Sequence, residues 1–145
     1  MEQTVRRWYA VEGSKDMPYI PADWSDACWS CLVDLFPHLR TWVAHQPYAP
    51  EGVIRHLATV DDWEVRYRVA EKRNLPRDLF VALAADPAPL VRVALARNAK
   101  APLELVEELS SDPQPDVARA ACFQLERRRD ALAEKTKRYQ QRPGA

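Results

Sequence analysis

Glycine is almost missing from this chain, with three residues in 145. A glycine-rich phosphate loop or a dinucleotide fingerprint therefore has no raw material here. Net charge is missing as well: 21 lysines and arginines balance 21 aspartates and glutamates. That balance argues against the broad basic field that drives non-specific nucleic-acid binding. The cysteines number only three, an odd count without the spacing of a small secreted domain, so reduced thiols are expected rather than a disulfide framework. The longest apolar run, Leu79 to Ala85, is far too short to span a bilayer. Met1 to Asp16 offers no apolar core of a secretory signal. His38, His45 and His56 are the only histidines, and none stands in a metal-protease spacing or in a set that periodicity would join with a nucleophile. A cytoplasmic, non-catalytic protein is expected, with no membrane, small-molecule substrate, metal or cofactor.

Proline, by contrast, is abundant at 12 residues, and its placement is regular. Pro50, Pro76 and Pro102 stand 26 residues apart, and the same step links Pro37, Trp63, Pro89 and Pro115. It also links Leu39, Val65, Val91 and Val117, then Val43, Val69, Leu95 and Ala121, then Ala44, Ala70, Ala96 and Cys122. Behind the second proline series run Val53, Leu79 and Leu105, then Ile54, Phe80 and Val106, then Leu57, Leu83 and Leu109. A fixed period of this size marks one supersecondary unit copied and stacked. Each period holds two helices opened by proline, which fits the first helical position because its missing N–H would lack a partner there. Each helix has room for only about ten residues, too few to be stable alone. Its apolar stripe must therefore be buried against a partner helix and the next repeat.

The expected fold is all-α, a right-handed α-solenoid of about four helix pairs with a long C-terminal capping helix. Repeats are read at 24–33 (partial), 34–59, 60–85, 86–111 and 112–139, the last being the cap, within one repeat domain over 23–139. Asp62 is available as N-cap before Trp63. Stepping back from Val53, Ile54 and Leu57 lands on Ala27, Cys28 and Cys31, which makes a C-x-x-C pair read as small core residues. Residue 128, due for a proline, is Arg128. One helix is thus expected from Asp116 to Tyr139, with Val117, Ala121, Leu125 and Leu132 inward and Cys122 in the core. Residues 1–22 read as an irregular N-terminal arm, extended over Met17 to Pro21 and a short strand or helix over Thr4 to Val11. Residues 140–145 read as a frayed tail.

These motifs resemble the leucine-rich repeat variant family, a relative of HEAT-type helical repeats. The likeness rests on the pairs Leu39-Arg40, Val65-Arg66 and Val91-Arg92, on Val43-Ala44, Val69-Ala70 and Leu95-Ala96, and on the endings Leu57-Ala58, Leu83-Ala84 and Leu109-Ser110. It covers roughly residues 24–125. Such solenoids often carry Asp–Arg contacts between turns, so Arg40, Arg66 and Arg92 with Asp34, Asp86 and Asp112 are expected to form a structural ladder. In HEAT-type stacking the second helices line the concave face. That implies a partner-binding groove graded from Arg55 and His56 through Val81 to Glu107 and Glu108, with Arg77, Asp78 and Glu104 at its edge. The resemblance thus implies a protein-binding scaffold. Its size and architecture invite a narrower reading, a bacterial immunity or antitoxin-type protein that binds and blocks a toxin domain. Two alternatives stay open: a HEAT-like nucleic-acid binder of the DNA-repair type that grips phosphates with the three arginines, and a family-type metal or iron–sulfur protein that uses Cys28 and Cys31. Trp8, Trp24, Trp29, Trp42, Tyr9, Tyr19 and Tyr48 crowd the N-terminal third, where they are expected to cap the open end and supply one or two binding anchors.

Overall fold

The computed structural model describes residues 1–12, 19–21 and 23–141. Among them every regular element is helical. They run α1 (Glu2–Glu12), α2 (Asp26–Leu35), a 3-10 turn (Pro37–Leu39), α3 (Arg40–His45), α4 (Glu51–Leu57), α5 (Trp63–Ala70), α6 (Arg77–Ala84), α7 (Pro89–Arg97), α8 (Leu103–Leu109) and α9 (Pro115–Gln140). Contacts gather into two compact units, Met1–Val69 and Ala70–Ala145.

In the first unit α1 packs on α2, α2 meets α4 and the 3-10 turn, and α3 packs on that turn and on α4. Of the strand or helix expected over Thr4 to Val11 in the N-terminal arm, the chain forms a helix, α1. Its sequence supports a helix locally, since Arg6 Nε donates to Glu2 Oε1 at 2.9 Å one turn away. One face is anchored by Val5 and Trp8, both buried. Met17 and Pro18 of the expected extended arm, and residues 142–145 of the expected tail, lie outside the described residues. Val53, Ile54 and Leu57 of α4 are buried with Leu32 and Val33 of α2 and Val43 and Ala44 of α3. These are lattice positions, and a helix as short as α4 relies on this tertiary burial.

The second unit pairs α6 with α7 and with α8, and lays α9 across α7 and α8. Leu79, Phe80 and Leu83 of α6 and Leu105, Val106 and Leu109 of α8 are buried at matching positions. The prolines before these helices are refined by one place. Pro76 and Pro102 have ψ of 148° and 138° and occupy the N-cap, as does Pro50 before α4. Their carbonyls accept the first helical bonds, from Phe80 at 3.2 Å and Val106 at 3.3 Å, so proline loses nothing by lacking its own N–H. Pro89 and Pro115, by contrast, stand in the first turns of α7 and α9. Asp62 caps α5 through Oδ1, which accepts the Glu64 N–H at 2.9 Å.

Helix α9 departs from expectation over its second half. Val117, Ala120, Ala121 and Gln124 are buried, but Leu132 is 66% exposed. Cys122 is exposed too, although its counterparts Ala44, Ala70 and Ala96 are fully buried. No later helix among the described residues covers that side of α9, so the lattice position loses the neighbour that would bury it. Among the described residues no helix is long and apolar enough to cross a membrane.

Candidate functional site

Three periods place an arginine one residue after the first-helix Leu or Val. In the second unit Arg92 is nearly enclosed, its side chain 13% exposed beside Asp112 at 6%. Nε donates to Asp112 Oδ2 at 2.7 Å and Nη2 to Oδ1 at 3.1 Å. Nη1 donates to the carbonyls of Asp86 at 2.7 Å and Pro87 at 3.4 Å. The bidentate bond raises the arginine's pKa and holds the Asp112 carboxyl below its ordinary range, against the opposing effect of burial. Asp86 and Asp112 also close their own turns, accepting the N–H of Ala88 and Gln114, each at 2.8 Å. In the first unit Arg66 Nη1 donates to Val60 O at 2.7 Å and to Asp61 O at 2.9 Å, and Arg40 Nε donates to Val33 O at 2.8 Å. Arg66 and Arg92 thus share one task, tying down the loop that precedes their own helix, whereas Arg40 reaches back to a carbonyl within α2.

Asp34 departs from that pattern. It lies inside α2, so it cannot form the turn that Asp86 and Asp112 form in loops. Its side chain is 64% exposed, with Oδ1 3.5 Å from His56 Nε2. Sequence periodicity also passed over Asn98, which is only 6% exposed. Its Nδ2 donates to the carbonyls of Ala70 and Lys72, both at 2.8 Å, and its Oδ1 accepts the Lys100 N–H at 2.9 Å. Arg128, where the lattice called for proline, donates from Nη2 to Asn98 O at 3.0 Å. Burial lowers the Arg128 pKa. The readable signal was an asparagine at the point where an alanine-rich helix stops.

The candidate binding residues fall into two groups. Arg55 and His56 stand on α4 of the first unit, where Arg55 pairs with Glu51 one turn back at 2.8 Å. The other six stand on α6 and α8, which are neighbours. Arg77 of α6 pairs with Glu104 of α8, and the Glu104 carboxyl is lowered first by its own backbone N–H and then by Arg77. Val81 is 49% exposed on α6 and Leu103 48% on α8. Asp78, Glu107 and Glu108 are exposed around them. Periodicity explains the strip. Positions 77, 78, 81 and 82 and positions 103, 104, 107 and 108 are the faces left over once the apolar triads turn inward.

Cys28 is buried, with Ser25 Oγ 3.5 Å from its Sγ. Cys31 is half-buried on the same helix, and Cys122 belongs to the other unit. Among the described residues no three His, Cys, Asp or Glu side chains gather as a metal site. No protein-family profile, curated protein or solved structure matches this chain.

Proposed function

We propose that this chain is a non-catalytic scaffold that binds a protein partner through the exposed faces of its second helices. The observation that carries the proposal is the α6–α8 strip. Two half-exposed apolar side chains, Val81 and Leu103, stand among one cation and several carboxylates, with the Arg77–Glu104 pair across the two helices. A small apolar centre with a charged rim is the composition of a protein-binding patch. The carboxylates make a partner with a basic surface the better fit, since such complementarity steers encounter and fixes register. The exposed positions of α6 and α8 correspond because the period recurs, with different side chains on them, which supports a right-handed α-solenoid with the leucine-rich repeat variant likeness. The narrower reading is an immunity-type protein that occludes a toxin domain. Phosphate gripping by Arg40, Arg66 and Arg92 is disfavoured because backbone carbonyls and Asp112 already engage them.

The test is affinity capture of the tagged full-length chain from its native cells, run beside the variant Glu107→Lys with Glu108→Lys. A protein retained by the parent chain and lost from the charge-reversed one supports the reading. Equal retention by both chains removes the strip as the binding face.

A further inference from the structure

The first unit holds a cleft of about 640 Å³ that the α6–α8 strip does not involve. Its walls include Tyr19, Trp24, Trp29 and Tyr48, and Asp26 is the one charged residue among the described residues that line it, with Gln46 beside them. Tyr19 is 68% exposed and Tyr48 88%. The tryptophan walls, by contrast, are braced from behind. Trp24 meets Trp8 edge-on with ring centres 5.0 Å apart and meets Trp29 at 6.3 Å. Trp8 itself is 8% exposed, and its Nε1 donates to the Tyr19 carbonyl at 2.6 Å. Four tryptophans thus serve one structure: Trp42 stands 6.4 Å from Trp8, and the segment before α2 is pinned by its backbone. Braced tryptophan walls reduce the ordering that a ligand must impose.

The lining has a charge preference. Four aromatic side chains supply negative π density, one carboxylate adds to it, and among the described residues that line the cleft no lysine or arginine offsets either. An anionic ligand would be repelled by Asp26, which stands exposed in the first turn of α2. A planar guanidinium satisfies both features, because it stacks on aromatic faces and offers paired donors to a carboxylate. We propose that this cleft is a binding site for an arginine side chain presented by an extended peptide segment of a partner. The guanidinium lies against Tyr48 and Trp24, and Asp26 accepts its N–H donors.

The test uses the full chain, isotope-labelled so that each indole N–H signal is followed by NMR. It is titrated with an end-blocked Ala-Ala-Arg-Ala-Ala peptide, with its citrulline counterpart, which keeps the shape and loses the charge, and with an end-blocked proline pentamer. The arginine peptide is expected to move the Trp24 and Trp29 signals and to bind about ten-fold more tightly than the citrulline peptide. Asp26→Asn and Tyr48→Ala each change an exposed side chain, so both fold, and each is expected to weaken binding about five-fold. Arginine and citrulline peptides binding equally, or Asp26→Asn leaving affinity unchanged, would overturn the proposal. So would a response to the proline pentamer alone, which would reassign the cleft to polyproline segments. No shift with any peptide at millimolar concentration also rejects it.

Discussion

Replacing Asp112 by alanine strips Arg92 of its bidentate carboxylate at a largely enclosed site, and the cost is large for a single residue. Both side chains are enclosed, at 13% and 6% exposure. Breaking such a pair from one side costs about 3–5 kcal/mol, because an uncompensated charge stays behind. Two facts lower that figure. Arg92 keeps its bonds to the Asp86 and Pro87 carbonyls, and the site is close enough to the surface for water to reach the freed guanidinium. Loss of the turn bond to the Gln114 N–H adds about 1 kcal/mol. The net expectation is about 2–4 kcal/mol, read by urea unfolding followed at 222 nm. Asp112→Asn keeps the turn bond and should cost less than alanine. Combined with Arg92→Met it should cost less than the sum of the two single changes, because the orphaned charge is gone.

Acid gives the same pair a second reading. The Asp112 carboxyl is held below its ordinary value in the folded chain, so on acidification the unfolded state takes up the proton first. The pair's stabilisation is then complete above the ordinary aspartate pKa of about 3.9 and is lost as pH falls through the lower folded value. Parent chain and Asp112→Asn should therefore differ at pH 7 and converge at the acidic end. A cost below about 0.5 kcal/mol, within the range of ordinary surface changes, or a gap that stays constant with pH, would refute the reasoning.

Other expectations follow from the packing. Asn98→Ala frees the Ala70 and Lys72 carbonyls and should cost about 2–3 kcal/mol in the same assay; Asn98→Asp should fare no better, since a carboxylate cannot donate to carbonyls. Leu132→Ala should change stability by less than about 0.5 kcal/mol, whereas Leu109→Ala, at 5% exposure, should cost about 2–4 kcal/mol. Thiol labelling should proceed in the order Cys122, Cys31, Cys28, following exposure, with mass spectrometry giving the order.

Much of this was legible because proline and apolar residues recur at one step. Leu79, Phe80 and Leu83 read as an inward triad for the same reason that they are one: their spacing places them on one helical face. What escaped depended on where an element stops. Asp34 matches Asp86 and Asp112 by lattice position, but α2 runs past it, and a residue inside a helix has no turn to close. Cys122 and Leu132 read as core because periodicity assumes a next neighbour, and α9 has none among the described residues. Asn98 lies outside every apolar series, so its burial comes from the carbonyls it satisfies rather than from hydrophobicity. Helix α1 lacks the period altogether; only Val5 and Trp8, on one face, mark it. The N-terminal aromatics read as a cluster, but the cleft they frame depends on the Trp8 bond to a backbone carbonyl, which no spacing announces.

Amide hydrogen exchange of the captured complex against the free chain is the most direct test of where the partner sits. Protection is expected over 77–84 and 103–109, the two helices that carry Val81 and Leu103, with α7 unchanged. Protection confined to α7 or to the exposed second half of α9, with α6 and α8 exchanging as in the free chain, would contradict a second-helix binding face.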